Sequence, residues 1–143
     1  MKEKISEHVG VLIHSVDLEI TNYLKNQLSP FYLAPEQHLL IALLLEQEGQ
    51  SQNEIAKKLG KDKSSVTRMI VSLEKKGYIR RLARKNDRRS VQVYLTEEGR
   101  ALKDIVNQVS DDTKKLLEKG FTNEEISELK RLLTKIQNNL FDE

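Results

Sequence analysis

From residue 51 to residue 77 the chain sets short polar openings before apolar stripes, at a spacing that fits two compact helices. Ser51-Gln52-Asn53-Glu54 has the form S-x-x-E, in which hydroxyl and carboxylate each satisfy a backbone N–H at a helix start. Ile55, Ala56 and Leu59 follow on one face, and Gly60 stands where the helix would stop. Asp62 then offers a second N-cap, and Val66, Met69, Ile70 and Leu73 recur at i, i+3, i+4 and i+7 as on a helix with one buried face. Gly77 closes that segment.

The period then changes from helical to alternating. Tyr78 to Arg84 reads as a strand, Asn86-Asp87 supplies turn chemistry, and Val91, Val93 and Leu95 alternate with Gln92, Tyr94 and Thr96. A two-stranded hairpin is predicted. On either side of this central block the pattern is helical again. Ile5, Val9, Leu12, Ile13, Val16, Ile20, Leu24 and Leu28 form one long stripe, and Leu102, Ile105, Val106, Val109, Leu116 and Leu117 form another after a Thr96 cap. A last helix starts at Thr122, whose T-x-x-E box ends at Glu125, and carries Ile126, Leu129, Leu132, Leu133, Ile136 and Leu140.

Two short helices joined by a tight turn, with a hairpin behind them, make a helix-turn-helix with a wing. Opposite its apolar stripe the second helix carries Ser64, Arg68, Val71 and Lys75, flanked by Ser65, Thr67 and Ser72. Slim hydroxyl side chains let a helix enter a major groove, and an Arg there can grip guanine O6 and N7 as a fork. An amphipathic helix with a solvated polar face has the same composition. The hairpin tip adds Arg84, Lys85, Arg88 and Arg89, placed to reach phosphates and the adjacent minor groove. Asp87 among them either orients Arg89 through a charge-assisted pair or simply favours the turn.

Charge sharpens the picture once it is divided by position. The whole chain of 143 residues has a net charge of only +2, yet residues 51–95 carry 13 Lys+Arg against 4 Asp+Glu, a net of +9, and the rest carry a net of −7. A basic module between acidic flanks is the footprint of a polyanion-binding face, or of a basic surface with no partner. There is no Cys, which excludes disulfides, thiolate metal sites and a cysteine redox switch. The longest apolar run, Leu39 to Leu45, falls far short of the ~20 residues a spanning helix needs, and MKEKISEH lacks a signal peptide's apolar stretch. The expected location is the cytoplasm. No P-loop, G-x-G-x-x-G, H-E-x-x-H or catalytic triad pattern is present, so no enzymatic activity is expected. His8, His14 and His38 are isolated in sequence and are assigned no metal; no cofactor is expected.

Gly77, Tyr78 and Ile79 after a basic-ended helix, then Asp87-x-Arg89, then Leu95-Thr96-x-x-Gly99, resemble the signature of the MarR family of winged helix-turn-helix transcriptional regulators. S-x-x-E-x-A-x-x-L over 51–59 and S-S-V-T-R over 64–68 extend the resemblance to nearly the whole chain. It implies a mainly α fold with a small β-wing, in which a winged helix-turn-helix core at 34–99 is joined to dimerisation helices at 1–33 and 100–143. It also implies a homodimer on double-stranded DNA with a palindromic operator, usually a repressor and often released by a small-molecule effector. The resemblance puts Asp87 and Arg89 on the family's wing motif and Ser65, Thr67 and Arg68 at positions that commonly touch bases; with Ser64 and Lys75 on the second helix and Arg84, Lys85 and Arg88 at the hairpin tip, read from the pattern above, they make up the expected DNA-binding residues. Related sequences often have Ser or Thr where this chain has Ala34, which leaves that helix start without a side-chain cap. Relatives that sense peroxides through a thiolate differ from this Cys-free chain. Phe31, Tyr32 and His38 are placed in the core, with an effector pocket as the other assignment. A winged-helix module that binds protein partners through its basic face, without sequence-specific DNA binding, is the alternative to an operator-binding regulator.

Overall fold

The computed structural model describes residues 2–84 and 87–141, and for Arg84, Asp87, Arg88 and Arg89 the backbone alone. It is a mainly helical chain with one small antiparallel sheet, arranged in two compact units, Met1–Val109 and Ser110–Glu143. The first contains α1 (Val9–Leu28), α2 (Pro35–Glu46), β1 (Gln50–Ser51), α3 (Gln52–Leu59), α4 (Lys63–Lys75), β2 (Ile79–Arg84), β3 (Asp87–Leu95) and the single turn α5 (Glu97–Arg100). The helix α6 (Lys103–Glu118) begins in the first unit and ends in the second, which also holds α7 (Asn123–Phe141).

The helix starts follow the polar openings. Ser51 Oγ accepts from the Glu54 N–H at 3.0 Å, Asp62 Oδ1 from the Ser65 N–H at 2.7 Å, and Thr96 Oγ1 from the Gly99 N–H at 3.1 Å. At Thr122 the box is reciprocal: its hydroxyl accepts from the Glu125 N–H while Glu125 accepts from the Thr122 N–H. Gly60 ends α3 in the left-handed region at φ 64°, where a side chain would be strained. Ala34 gives no side-chain cap, but Gln37 Oε1 accepts its N–H at 3.1 Å and Pro35 fits the first helical position.

The core lies in the first unit. Leu28, Leu40, Ile41 and Leu44 from the first two helices meet Ile55, Val66, Ile70 and Leu73 from α3 and α4, with Ile79, Val93 and Leu95 from the sheet and Val106 from α6. Each fully buried Leu, Ile or Val contributes about 1.5–3 kcal/mol of transfer free energy relative to exposure. The stripe expected on the second helix of the motif, Val66, Met69, Ile70 and Leu73, is the buried face of α4.

The sheet has the order β1-β3-β2. The wing strands pair from Ile79 opposite Leu95 to Ala83 opposite Val91, then shift register at a bulge so that Arg84 faces Asp87. The strand expected from Tyr78 starts one residue later. A third strand, absent from the sequence reading, comes from Gln50 and Ser51, which pair with Val93 and Gln92. The stripe expected to run on from Thr96 is split into α5 and α6 around Ala101 and Leu102.

Two placements differ from expectation. Tyr32 is 83% exposed and Phe31 37%, so neither is core, whereas His38 is buried. Both aromatics sit on the short turn between α1 and α2, where Tyr32 has a left-handed backbone (φ 55°). The turn spends its inward positions on Leu28 and Leu33 and leaves the rings outside. No single helix among the described residues is long and apolar enough to cross a membrane.

Candidate nucleic-acid interface

The apolar face of α4 is buried against the core, so its opposite face is the one presented outward. Ser64, Arg68 and Lys75 are exposed there, and Ser65, Thr67 and Val71 are half-buried. The five residues expected on this helix therefore share one outward side of one element. Arg68 Nη2 donates to Ser65 Oγ at 3.3 Å, and the N-cap of the same helix binds the Ser65 backbone. Asp62, fully exposed, is held below the usual carboxylate range first by the Ser65 N–H and then by the Ser65 hydroxyl, with a weaker pull from Arg68. Arg68, Val71, Ser72, Lys75 and Lys76 line a shallow groove of about 430 Å³ beside this face.

Ser72, which flanks the same face, is turned to internal use. Its hydroxyl accepts from Gln37 Nε2 at 3.1 Å, and Gln37 Oε1 accepts from Lys76 Nζ at 3.0 Å. Lys76 also donates to the Tyr32 carbonyl at 2.6 Å. The C-terminal end of α4 is thereby tied to the start of α2, a network that sequence spacing did not reveal because its members are 35 or more positions apart.

The wing is joined to α4 by a forked pair. Arg81 Nε and Nη2 donate to the two oxygens of Glu74 at 3.3 and 3.0 Å. At the base of the sheet Glu48 accepts from Arg100 and from the Leu95 N–H. Partial burial raises the Glu48 pKa, but the Arg100 hydrogen bond and the Leu95 N–H outweigh it and leave the carboxyl below its usual range. Gln50 is buried with its amide fully used: Nε2 donates to the Leu43 and Gln47 carbonyls, and Oε1 accepts from Lys58 Nζ at 2.8 Å. Of the expected wing residues, Arg84 ends β2 and Asp87, Arg88 and Arg89 begin β3, while Lys85 and Asn86 lie outside the described residues. The two readings of Asp87, orienting Arg89 or favouring the turn, concern side chains outside the described set.

Gly99 explains the end of the L-T-x-x-G run. A Cβ at that position would overlap the Tyr78 carbonyl oxygen, which accepts the Thr96 N–H at 3.0 Å, while the Thr96 hydroxyl donates to the Gly77 carbonyl. The start of the wing and the start of α5 are stitched together at that point, and only Gly lets the backbones approach so closely.

A helix-turn-helix whose second helix turns a slim, basic face outward, backed by a three-stranded wing, defines a winged helix-turn-helix protein. The family model that matches is the MarR family, over residues 33–91. The chain is 33% identical over 129 residues to the multiple antibiotic resistance protein MarR of Escherichia coli strain K12, spanning 90% of each chain, and it belongs to the MarR family, whose members are transcription regulators rather than enzymes. Among solved structures it resembles a mutant MarR from E. coli complexed with operator DNA, at 31% identity and a TM-score of 0.81, over 94% of this chain and 99% of that one. The S. aureus MepR–DNA complex is similar at 25% identity with a TM-score of 0.86, over 96% and 99% of the two chains.

Proposed function

We propose that this protein is a cytoplasmic transcriptional repressor that binds a palindromic operator as a homodimer and is released from it by a small-molecule effector. The observation that carries this reading is the division of α4, which buries Val66, Met69, Ile70 and Leu73 and turns Ser64, Arg68 and Lys75 outward. Ser64, Ser65, Thr67, Arg68 and Lys75 enter the major groove. Arg84, Lys85, Arg88 and Arg89 contact phosphates and the adjacent minor groove, with Asp87 orienting Arg89. Two relatives are known in complexes with DNA, one of them with operator DNA, which supports DNA as the partner of this face.

Residues 1–33 and 100–143 supply the dimer contacts, and 34–99 the DNA-binding core. Pairing of two chains sets the recognition helices about 34–36 Å apart, one turn of DNA, and covers apolar side chains that stand exposed on α1 and α7. The effector part of the proposal rests on family membership. Gel-shift titration against random-sequence duplex, followed by selection of the preferred duplex, tests the reading. Low-salt binding with one selected inverted repeat is the expected result; no binding at low salt would favour a protein-binding winged helix instead.

A further inference from the structure

The Thr67 hydroxyl is engaged on two sides. It donates its one proton to the Lys63 carbonyl, one turn back along α4, at 2.8 Å, and it accepts from Gln52 Nε2, at the start of α3, at 3.3 Å. The first bond is the back-bond that Ser and Thr make inside helices, and it draws Oγ1 against the backbone. The second fixes the same rotamer from a neighbouring element, and a β-branched side chain has few rotamers to choose from. With its proton committed, Thr67 cannot donate to a base edge. The oxygen keeps one lone pair, and the Cγ2 methyl is the other group the side chain has to present.

The residue one turn further on has the same character. Val71 is half-buried on this face, four positions from Thr67, and has no hydrogen-bonding group at all. Thr67 and Val71 thus continue one another as a narrow apolar strip on a face otherwise made of Ser64, Arg68 and Lys75. In the major groove the base feature that best matches a methyl is the 5-methyl group of thymine, since the other edge groups there are hydrogen-bond donors, acceptors or the bare C5–H of cytosine.

We propose that Thr67 reads a thymine through its methyl group rather than through its hydroxyl, and that Gln52 is the positioning residue that holds it in that rotamer. This deepens the operator-binding reading and rests on it. Arg68 and Thr67 then divide the work on adjacent positions of the helix: the guanidinium meets acceptors and the methyl meets a methyl.

The test replaces thymines of the selected operator one at a time by deoxyuridine, which deletes only the 5-methyl group and needs no change to the protein. One thymine per half-site is expected to lose about fourfold in affinity, the value of one buried methyl-sized group. Thr67→Val, which keeps a methyl and lacks the hydroxyl, should retain that discrimination, whereas Thr67→Ser should lose it at that position alone. Gln52→Ala should weaken the discrimination in the wild-type background and leave it unchanged beside Thr67→Val, a pattern that general damage to α3 would not produce. If the wild type selects an operator but no thymine shows a Thr67-dependent methyl effect, or if Thr67→Val loses the preference while Thr67→Ser keeps it, the hydroxyl is the reader and the inference fails. If the wild type selects no sequence at all, operator binding itself fails, and this inference with it.

Discussion

Arg68 and Gly99 show two ways in which one residue decides an outcome. Arg68 is exposed, with its guanidinium resting on the Ser65 hydroxyl, a hydrogen bond of 3.3 Å that is easily exchanged for a base edge. Arg68→Ala should therefore cost on the order of 1–3 kcal/mol per half-site on the preferred operator and blur the choice of base at one position. Non-specific affinity should fall less, and parallel titrations on operator and scrambled duplex measure both. Gly99 works through shape instead. Gly99→Ala forces the Tyr78 carbonyl to move and strains the hydrogen bonds among Gly77, Tyr78 and Thr96, so a loss of about 1–3 kcal/mol in unfolding free energy is expected by urea titration. A variant as stable as the wild type would mean that the α5 start can shift without cost.

At the scale of elements, the buried His38 joins α2 to α6, since its Nε2 lies 3.0 Å from the Val106 carbonyl and must be the donor there. Burial holds the imidazole below its ordinary value of 6.5, and the Val106 carbonyl pulls weakly the other way. The unfolded chain therefore takes up a proton first as the pH falls. Stability from this group is whole above 6.5 and is lost as the pH drops toward the lowered native value. Between about pH 7 and about pH 5 the wild type should lose more unfolding free energy than His38→Gln does, and equal losses would remove His38 as the cause. The wing is a second element with its own signature. Neutralising Lys85 or Arg88 should weaken all duplexes alike and make the salt slope shallower by about one unit per lost contact, or about two for a dimer. An unchanged slope would make the basic tip a solvated turn.

For the whole molecule, the proposed dimer depends on the terminal helices. Ile5, Val9 and Val16 are 72%, 58% and 52% exposed, and Leu140 and Phe141 are 74% and 84% exposed, far more apolar surface than single scattered residues account for. Toward the other end of α1, Leu24 packs on the core and Leu28 is buried in it. Removing residues 1–18 thus spares the winged core while deleting much of the exposed stripe. Light scattering should show a dimer for the full chain and monomer or aggregate for the truncation; a soluble truncated dimer would place the interface elsewhere. The absence of Cys sets a further expectation at this scale: peroxide doses that oxidise thiols but spare Met should leave DNA affinity unchanged.

Local chemistry was written in the sequence wherever cause and effect lie within a turn or two. The caps at Ser51, Asp62, Thr96 and Thr122, the stop at Gly60 and the buried stripe of α4 depend on neighbours three or four positions apart, and each formed as its spacing predicted. So did the wing, whose alternation is local. The MarR signature was also legible, because its residues serve such local ends together. What tertiary structure alone decided depends on partners distant in sequence. Strand β1 exists only because Val93 and Gln92 offer an open edge to Gln50 and Ser51, and two residues carry no periodicity to read. Phe31 and Tyr32 stand outside because Leu28 and Leu33 already fill the space beneath their turn. The second hold on the Thr67 hydroxyl is of the same kind: its bond to the Lys63 carbonyl is local, but the bond from Gln52, fifteen positions away, exists only because folding brings the start of α3 beside α4.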